Sequence, residues 1–144
     1  MSKRINIQEV EPEAFKAMYE LVKYLQTSQI SHTQQELIKI RASMINGCAF
    51  CINMHTKDAR KNGETEQRIY LLNAWRETTF YTEEERALLA LTEEVTLINH
   101  GVSDETYQTA ERLFGPNRLA QIIMFIVAIN TWNRIAVSTQ LQPE

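Results

Sequence analysis

The apolar run at residues 122–129, IIMFIVAI, constrains the fold of this chain more than any other feature. Side chains advance 100° per residue on a helix, so these positions cover every side of it. Such a helix is expected to be buried all round, at the centre of a bundle or against another subunit. It is too short to span a bilayer, and Gln121 and Asn130 bound it. The remaining chain must then supply helices that wrap it. Only four glycines and three prolines occur in 144 residues, so long helices are expected and a turn-rich β fold is not. The expected class is all-α, one domain over residues 1–144, with about six to seven helices.

Punctuation divides the chain accordingly. Residues up to about 11 read as an extended lead-in. Pro12 suits a helix first turn, and Phe15, Met18, Tyr19, Val22 and Leu25 recur at helical spacing up to Thr27 and Ser28. Thr33-x-x-Glu36 has the capping-box pattern and starts a second helix, which Asn46 and Gly47 stop. A third helix is expected from about Cys48 to Asn62, with Gly63 as its cap. Thr65 opens a fourth, carrying Ile69, Leu72 and Trp75. Thr82-x-x-Glu85 opens a fifth, with Leu88, Leu91, Val95 and Ile98 as its core stripe, ended by Asn99, His100 and Gly101. Ser103 starts a sixth. Gly115 and Pro116 separate that from the last helix, which runs to about Thr139.

Chemistry concentrates in the window 36–63, ELIKIRASMINGCAFCINMHTKDARKNG. It holds both cysteines, Cys48 and Cys51, with His55 four residues further on and Glu36 twelve residues before Cys48. If Cys48 opens a helix, then Cys48, Cys51 and His55 fall on one face. Cysteines one turn apart are within disulfide reach. A helix first turn also presents unpaired N–H groups and partial positive charge, which lowers thiol pKa values, from about 8.5 to below 7 in some C-x-x-C motifs. The dipole favours Cys48 as the attacking sulfur, whereas the neighbouring base favours Cys51. The base carries more weight, because it takes the proton and then stays positive beside the thiolate. Cys51 is then the attacking thiolate and Cys48 the resolving thiol.

Each of these residues also has a plainer reading. Two buried structural thiols would explain the cysteines. A zinc-stabilised module would use Cys48, Cys51, His55 and either His100 or Glu36. Glu36 fits the N3 position of the cap begun by Thr33. It reaches the cysteines only if the second helix folds back on the third. His32 and His100 read as ordinary loop-end residues. Asn130, Trp132, Asn133 and Arg134 end the apolar helix, at an active-site mouth or at a subunit boundary. The net charge of −3 and pI near 5.7 argue against a nucleic-acid footprint. MSKRINIQEVEPEAF has no apolar signal region, so a cytoplasmic location is expected and a redox or metal role is favoured over a structural disulfide.

INGCAFCINMHTKDARKNGE resembles the signature of the carboxymuconolactone decarboxylase / alkylhydroperoxidase D (AhpD-like) family. ELIKIRAS, DARKNGETEQRIYLLNAWRET and INTWNRIAV resemble it too, over roughly residues 30–137. The resemblance implies an AhpD-like all-α bundle assembled as homo-oligomers, trimers or hexamers. It implies reduction of organic hydroperoxides, with electrons from a dithiol donor of lipoyl or thioredoxin-like type and no cofactor or metal. It assigns peroxide attack to Cys51, resolution to Cys48 and proton relay to His55 and Glu36. Characterised peroxidases of the family often carry a second histidine just before the second cysteine. Phe50 stands there in this chain, so the relay has one member fewer. The decarboxylases of the family generally lack the cysteine pair, so that activity is not expected. Protein-disulfide reduction is an alternative use of the same dithiol.

Overall fold

The computed structural model describes residues 3–144. Its α-helices are α1 (Ile7–Val10), α2 (Pro12–Gln26), α3 (His32–Asn46), α4 (Ala49–Lys61), α5 (Glu66–Tyr70), α6 (Glu83–Thr96) and α7 (Asp104–Thr139). No strand occurs among the described residues, so the all-α class holds.

Most helix starts are set by side-chain caps. Thr65, Ser103 and Thr82 each accept the backbone N–H three residues on, and Glu85 returns the bond to Thr82 as a full capping box. Pro12 opens α2 as expected. At α3 the cap differs from expectation. Ser31 and Gln34 form the box, starting the helix earlier, so Thr33 and Glu36 lie inside it. Glu36 is thereby released from capping. The lead-in is not wholly extended either, because Asn6 accepts from Gln8 N–H and nucleates α1.

Three further boundaries shift. Cys48 is the N-cap of α4 rather than its first residue, and Asn62 rather than Gly63 is its C-cap. The fourth expected helix breaks into α5 and a 3-10 turn, Leu72–Glu77, bent at Ala74. Trp75 on that turn donates from Nε1 to Glu93 on α6 at 2.8 Å. α6 ends at Thr96, and a separate 3-10 turn, Ile98–His100, carries Ile98 out to solvent rather than into the core stripe.

The core lies between α3, α6 and the second arm of α7. Leu37, Ile38, Ile40, Leu88, Leu89, Leu91, Ile122 and Ile126 are all essentially inaccessible. α7 breaks at Gly115, whose φ of 73° and ψ of 169° suit glycine. Pro116 begins the second arm where its missing N–H is harmless. By composition α7 is apolar enough to cross a bilayer, but it carries Ile122, Phe125, Ile126 and Ile129 into this core. The run 122–129 is not buried all round in one chain. Val127 is 41% exposed, and with Ile123 and Tyr107 it lines an open apolar groove beside α6. α2 closes the other side through the rings of Phe15 and Tyr19, 5.5 and 6.0 Å from that of Trp132.

Candidate functional site

Gly47 ends α3 in the left-handed region, at φ 64°, and turns the chain back as α4. Cys48 follows as the N-cap, extended at φ −89° and ψ 93°, and its sulfur accepts from Cys51 N–H at 3.3 Å. The two Cα atoms are 5.3 Å apart and the sulfurs are joined in a disulfide. Cys48 and Cys51 are 1% and 2% exposed, packed with Phe50 against Ala136 of α7. A C-x-x-C pair at a helix start thus has the disulfide reach expected of it, with one first-turn amide capped by Cys48 sulfur.

One turn further along α4 stands His55, buried beside the pair. Because α4 folds back on α3, Glu36 meets it. His55 Nδ1 donates to Glu36 Oε2 at 3.2 Å. The other carboxylate oxygen accepts from Lys39 Nζ at 3.0 Å, and His32 Nε2 stands 3.9 Å from it. Burial pushes the Glu36 carboxyl up, but the hydrogen bond from His55 and the charge on Lys39 outweigh it, and the net displacement is downward from 4.5. Glu36 is therefore an anion at neutral pH. With Nδ1 committed to that anion, Nε2 is the nitrogen left to exchange a proton. Cys51 and His55, at i and i+4, share the face on which that exchange would occur.

Residues 12–94 match the carboxymuconolactone decarboxylase family. The chain belongs to that family. The matched segment contains Glu36, both cysteines and His55. The uncharacterized protein YdfG of Bacillus subtilis (strain 168) is 49% identical to this family member over 139 residues, 96% of this chain and 95% of its own. A solved structure from Agrobacterium tumefaciens is 46% identical, with a TM-score of 0.95 and 99% of each chain covered. It is described as a protein of unknown function proposed to be the antioxidant defence protein AhpD. The debrominase Bmp8 shares the fold at a TM-score of 0.85 and 20% identity, covering 95% of this chain and 74% of its own.

The four residues singled out in the sequence, Glu36, Cys48, Cys51 and His55, come together. Others do not join them. His100 lines a separate shallow pocket with Glu93 and Glu94, so it does not complete a zinc set with the cysteines. Among the described residues no group of three or more His, Cys, Asp or Glu is arranged to hold a metal ion. Asn130, Trp132, Asn133 and Arg134 do not form one mouth. Trp132 packs on α2, Arg134 donates to Asn130, and Asn133 is completely buried. Sequence reasoning missed Lys39, whose signal was the i, i+3 spacing from Glu36. It also left His32 as a loop end, although His32 lies one turn before Glu36 on the same face.

Proposed function

We propose that this protein is a thiol-dependent hydroperoxidase that cycles Cys48 and Cys51 between dithiol and disulfide. The observation that carries this reading is the juxtaposition of the Cys48–Cys51 disulfide at the start of α4 with a buried histidine–carboxylate pair one turn away. In the reduced enzyme His55 takes the Cys51 proton, and Glu36 holds the resulting imidazolium. The Cys51 thiolate attacks the terminal oxygen of an organic hydroperoxide, breaking the O–O bond. His55 returns the proton to the departing alkoxide, giving an alcohol and a Cys51 sulfenic acid. Cys48 then attacks that sulfur, forming the disulfide and releasing water. A dithiol donor of lipoyl or thioredoxin-like type attacks the disulfide and leaves oxidised, restoring both thiols. Substrate oxygen is thus reduced by two electrons drawn from the donor, with no metal or cofactor in the scheme.

The groove at Ile123, Val127 and Tyr107 supports assembly as a homo-oligomer, a trimer or hexamer, with this apolar face covered. The location assigned with this reading is the cytoplasm, where donors keep thiols reduced. Reduced protein should lose two hydrogens on treatment with one equivalent of an organic hydroperoxide, with Cys48 joined to Cys51 in one chain by mass spectrometry. Two free thiols after that treatment would overturn the proposal. If only a disulfide-bearing protein substrate oxidises the pair, the protein-disulfide reductase alternative replaces it.

A further inference from the structure

Three asparagines form a polar knot behind the cysteine turn. Asn46, the last residue of α3, donates from Nδ2 to Asn130 Oδ1 at 2.9 Å and to Asn133 Oδ1 at 3.0 Å, both on α7. Asn133 donates in turn to Ser43 Oγ at 3.0 Å. Asn130 donates to Thr96 Oγ1 on α6 at 3.1 Å and to Ile126 O at 2.9 Å. Ser43 also accepts, through its backbone carbonyl, the N–H of Cys48 at 3.0 Å. Three of these bonds end on the two residues that flank the turn, Asn46 and Cys48, and the others fix the partners of those bonds to α3, α6 and α7. Asn133 has 0% exposure and no unsatisfied polar atom. A buried amide that could be replaced by an apolar residue of similar size is retained here with all its partners matched.

The link between Asn46 and Cys48 is Gly47, the most permissive residue in the backbone. Once the disulfide opens, Cys48 is held on its α4 side by the Ala49–Phe50 link and by the Ile52 N–H that its carbonyl accepts at 2.9 Å, whereas on its α3 side only the glycine hinge and the bond from its own N–H to Ser43 set the turn that aims its side chain. Cys51 lies within the helix, downstream of the hinge, and its place does not depend on the knot.

We propose that Asn46 and Asn133 are positioning residues for Cys48, holding the hinge so that the resolving sulfur stays aimed at Cys51 in the reduced protein. This rests on the resolving role assigned to Cys48 above. The knot acts on the closure step alone. It raises the effective concentration of Cys48 at the Cys51 sulfur without changing how Cys51 first reacts.

The test uses thiol–disulfide exchange rather than peroxide, so it stands even if the hydroperoxidase reading fails. Fully reduced protein is mixed with oxidised glutathione. The Cys51 thiolate attacks the glutathione disulfide and expels one glutathione thiolate, leaving a mixed disulfide. Cys48 then attacks the Cys51 sulfur, expels the second glutathione and closes the ring. Quenching at intervals and weighing the intact protein follows each step. Asn46→Ala should slow closure by about 3- to 10-fold, the range expected for losing neutral hydrogen bonds, and should shift the dithiol–disulfide equilibrium toward dithiol by a similar factor. The rate of mixed-disulfide formation should stay within about twofold of the parent. Asn133→Ala should act in the same direction, and the double variant should fall little further than the worse single one, because both remove one knot. If Asn133→Ala fails to fold, Asn46→Ala, at a half-buried helix end, decides alone. Closure unchanged in Asn46→Ala would overturn the proposal. So would an equal slowing of both steps, which would mean general loosening of the site.

Discussion

Glu36 and Glu85 stand in similar surroundings and do different work. Each follows a threonine by three residues, lies on a core helix and is nearly inaccessible. Glu85 accepts Thr82 N–H and meets Arg68 through both oxygens at 3.0 Å, while Glu64 holds the same guanidinium from its other side. Arg68 is permanently charged, and these carboxylates raise its pKa further. Tyr81, donating to the Arg68 carbonyl over this cluster, is pushed by burial up to about 12. The cluster ties α5 to α6 through a cation that does not exchange its proton. Glu36 instead faces the imidazole of His55, whose second ring nitrogen is free of that bond, and the ammonium of Lys39. In the proposed mechanism the same kind of carboxylate that is structural opposite a fixed cation assists proton transfer opposite an imidazole next to sulfur.

That contrast can be broken at several points. The largest effect is expected at sulfur. Cys51→Ser should abolish consumption of organic hydroperoxide, whereas Cys48→Ser should consume one equivalent and stop at a Cys51 sulfenic acid, trapped by a dione reagent. The reverse pattern would exchange the two roles and show that the helix terminus outweighs the base. Next, His55→Ala should slow alkylation of Cys51 by about 10²- to 10⁴-fold, most severely below neutral pH, because the thiolate loses both its proton acceptor and its neighbouring cation. An alkylation profile superimposable on the parent's would remove His55 from the mechanism. Glu85→Ala should leave that profile unchanged while destabilising the fold by about 3 kcal/mol, since Arg68 keeps its charge with one carboxylate gone. Urea unfolding measures this, and altered cysteine reactivity in the folded variant would erase the distinction between the two glutamates.

The smallest effect is expected from Glu36→Gln. It should slow Cys51 less than His55→Ala does, and the double change should add little, because the two act as a unit. Its clearer signature is in acid. The folded Glu36 carboxyl lies below its ordinary value of 4.5. Its contribution to stability is therefore present above that value and lost as pH falls through the folded one. Glu36→Gln should flatten that part of the stability curve, and an unchanged acid limb would show that the ion pair with His55 and Lys39 contributes nothing.

The sequence made some of this legible and hid the rest for identifiable reasons. Caps at Thr65, Thr82 and Ser103, the stop at Gly47 and the break at Gly115 are local signals, and local physics decided them. The Thr33–Glu36 box was misread because Ser31 and Gln34, two residues earlier, offered the same bonds and won. That error touched the site itself, since it made Glu36 look occupied. Cys51 and His55 were readable from helical spacing. Glu36 was readable only on the condition that α3 and α4 pair. Lys39 carried a local signal, its i, i+3 spacing from Glu36, whereas the contacts of Asn46, Asn130 and Asn133 carried no readable pattern, because their partners come from tertiary packing.

The sulfur that caps α4 has one more consequence. A helix N-cap protects the amides of the first turn, and here the acceptor for the Cys51 amide is Cys48 Sγ itself. Any adduct on Cys48 enlarges or turns away that acceptor, whereas an adduct on Cys51 leaves it in place. The chemical state of one sulfur is thereby written into the hydrogen-exchange rate of a neighbouring backbone amide. In a reduced protein labelled at only one cysteine, fast exchange at the first turn of α4 would report that Cys48 carries the label, and slow exchange that Cys51 does.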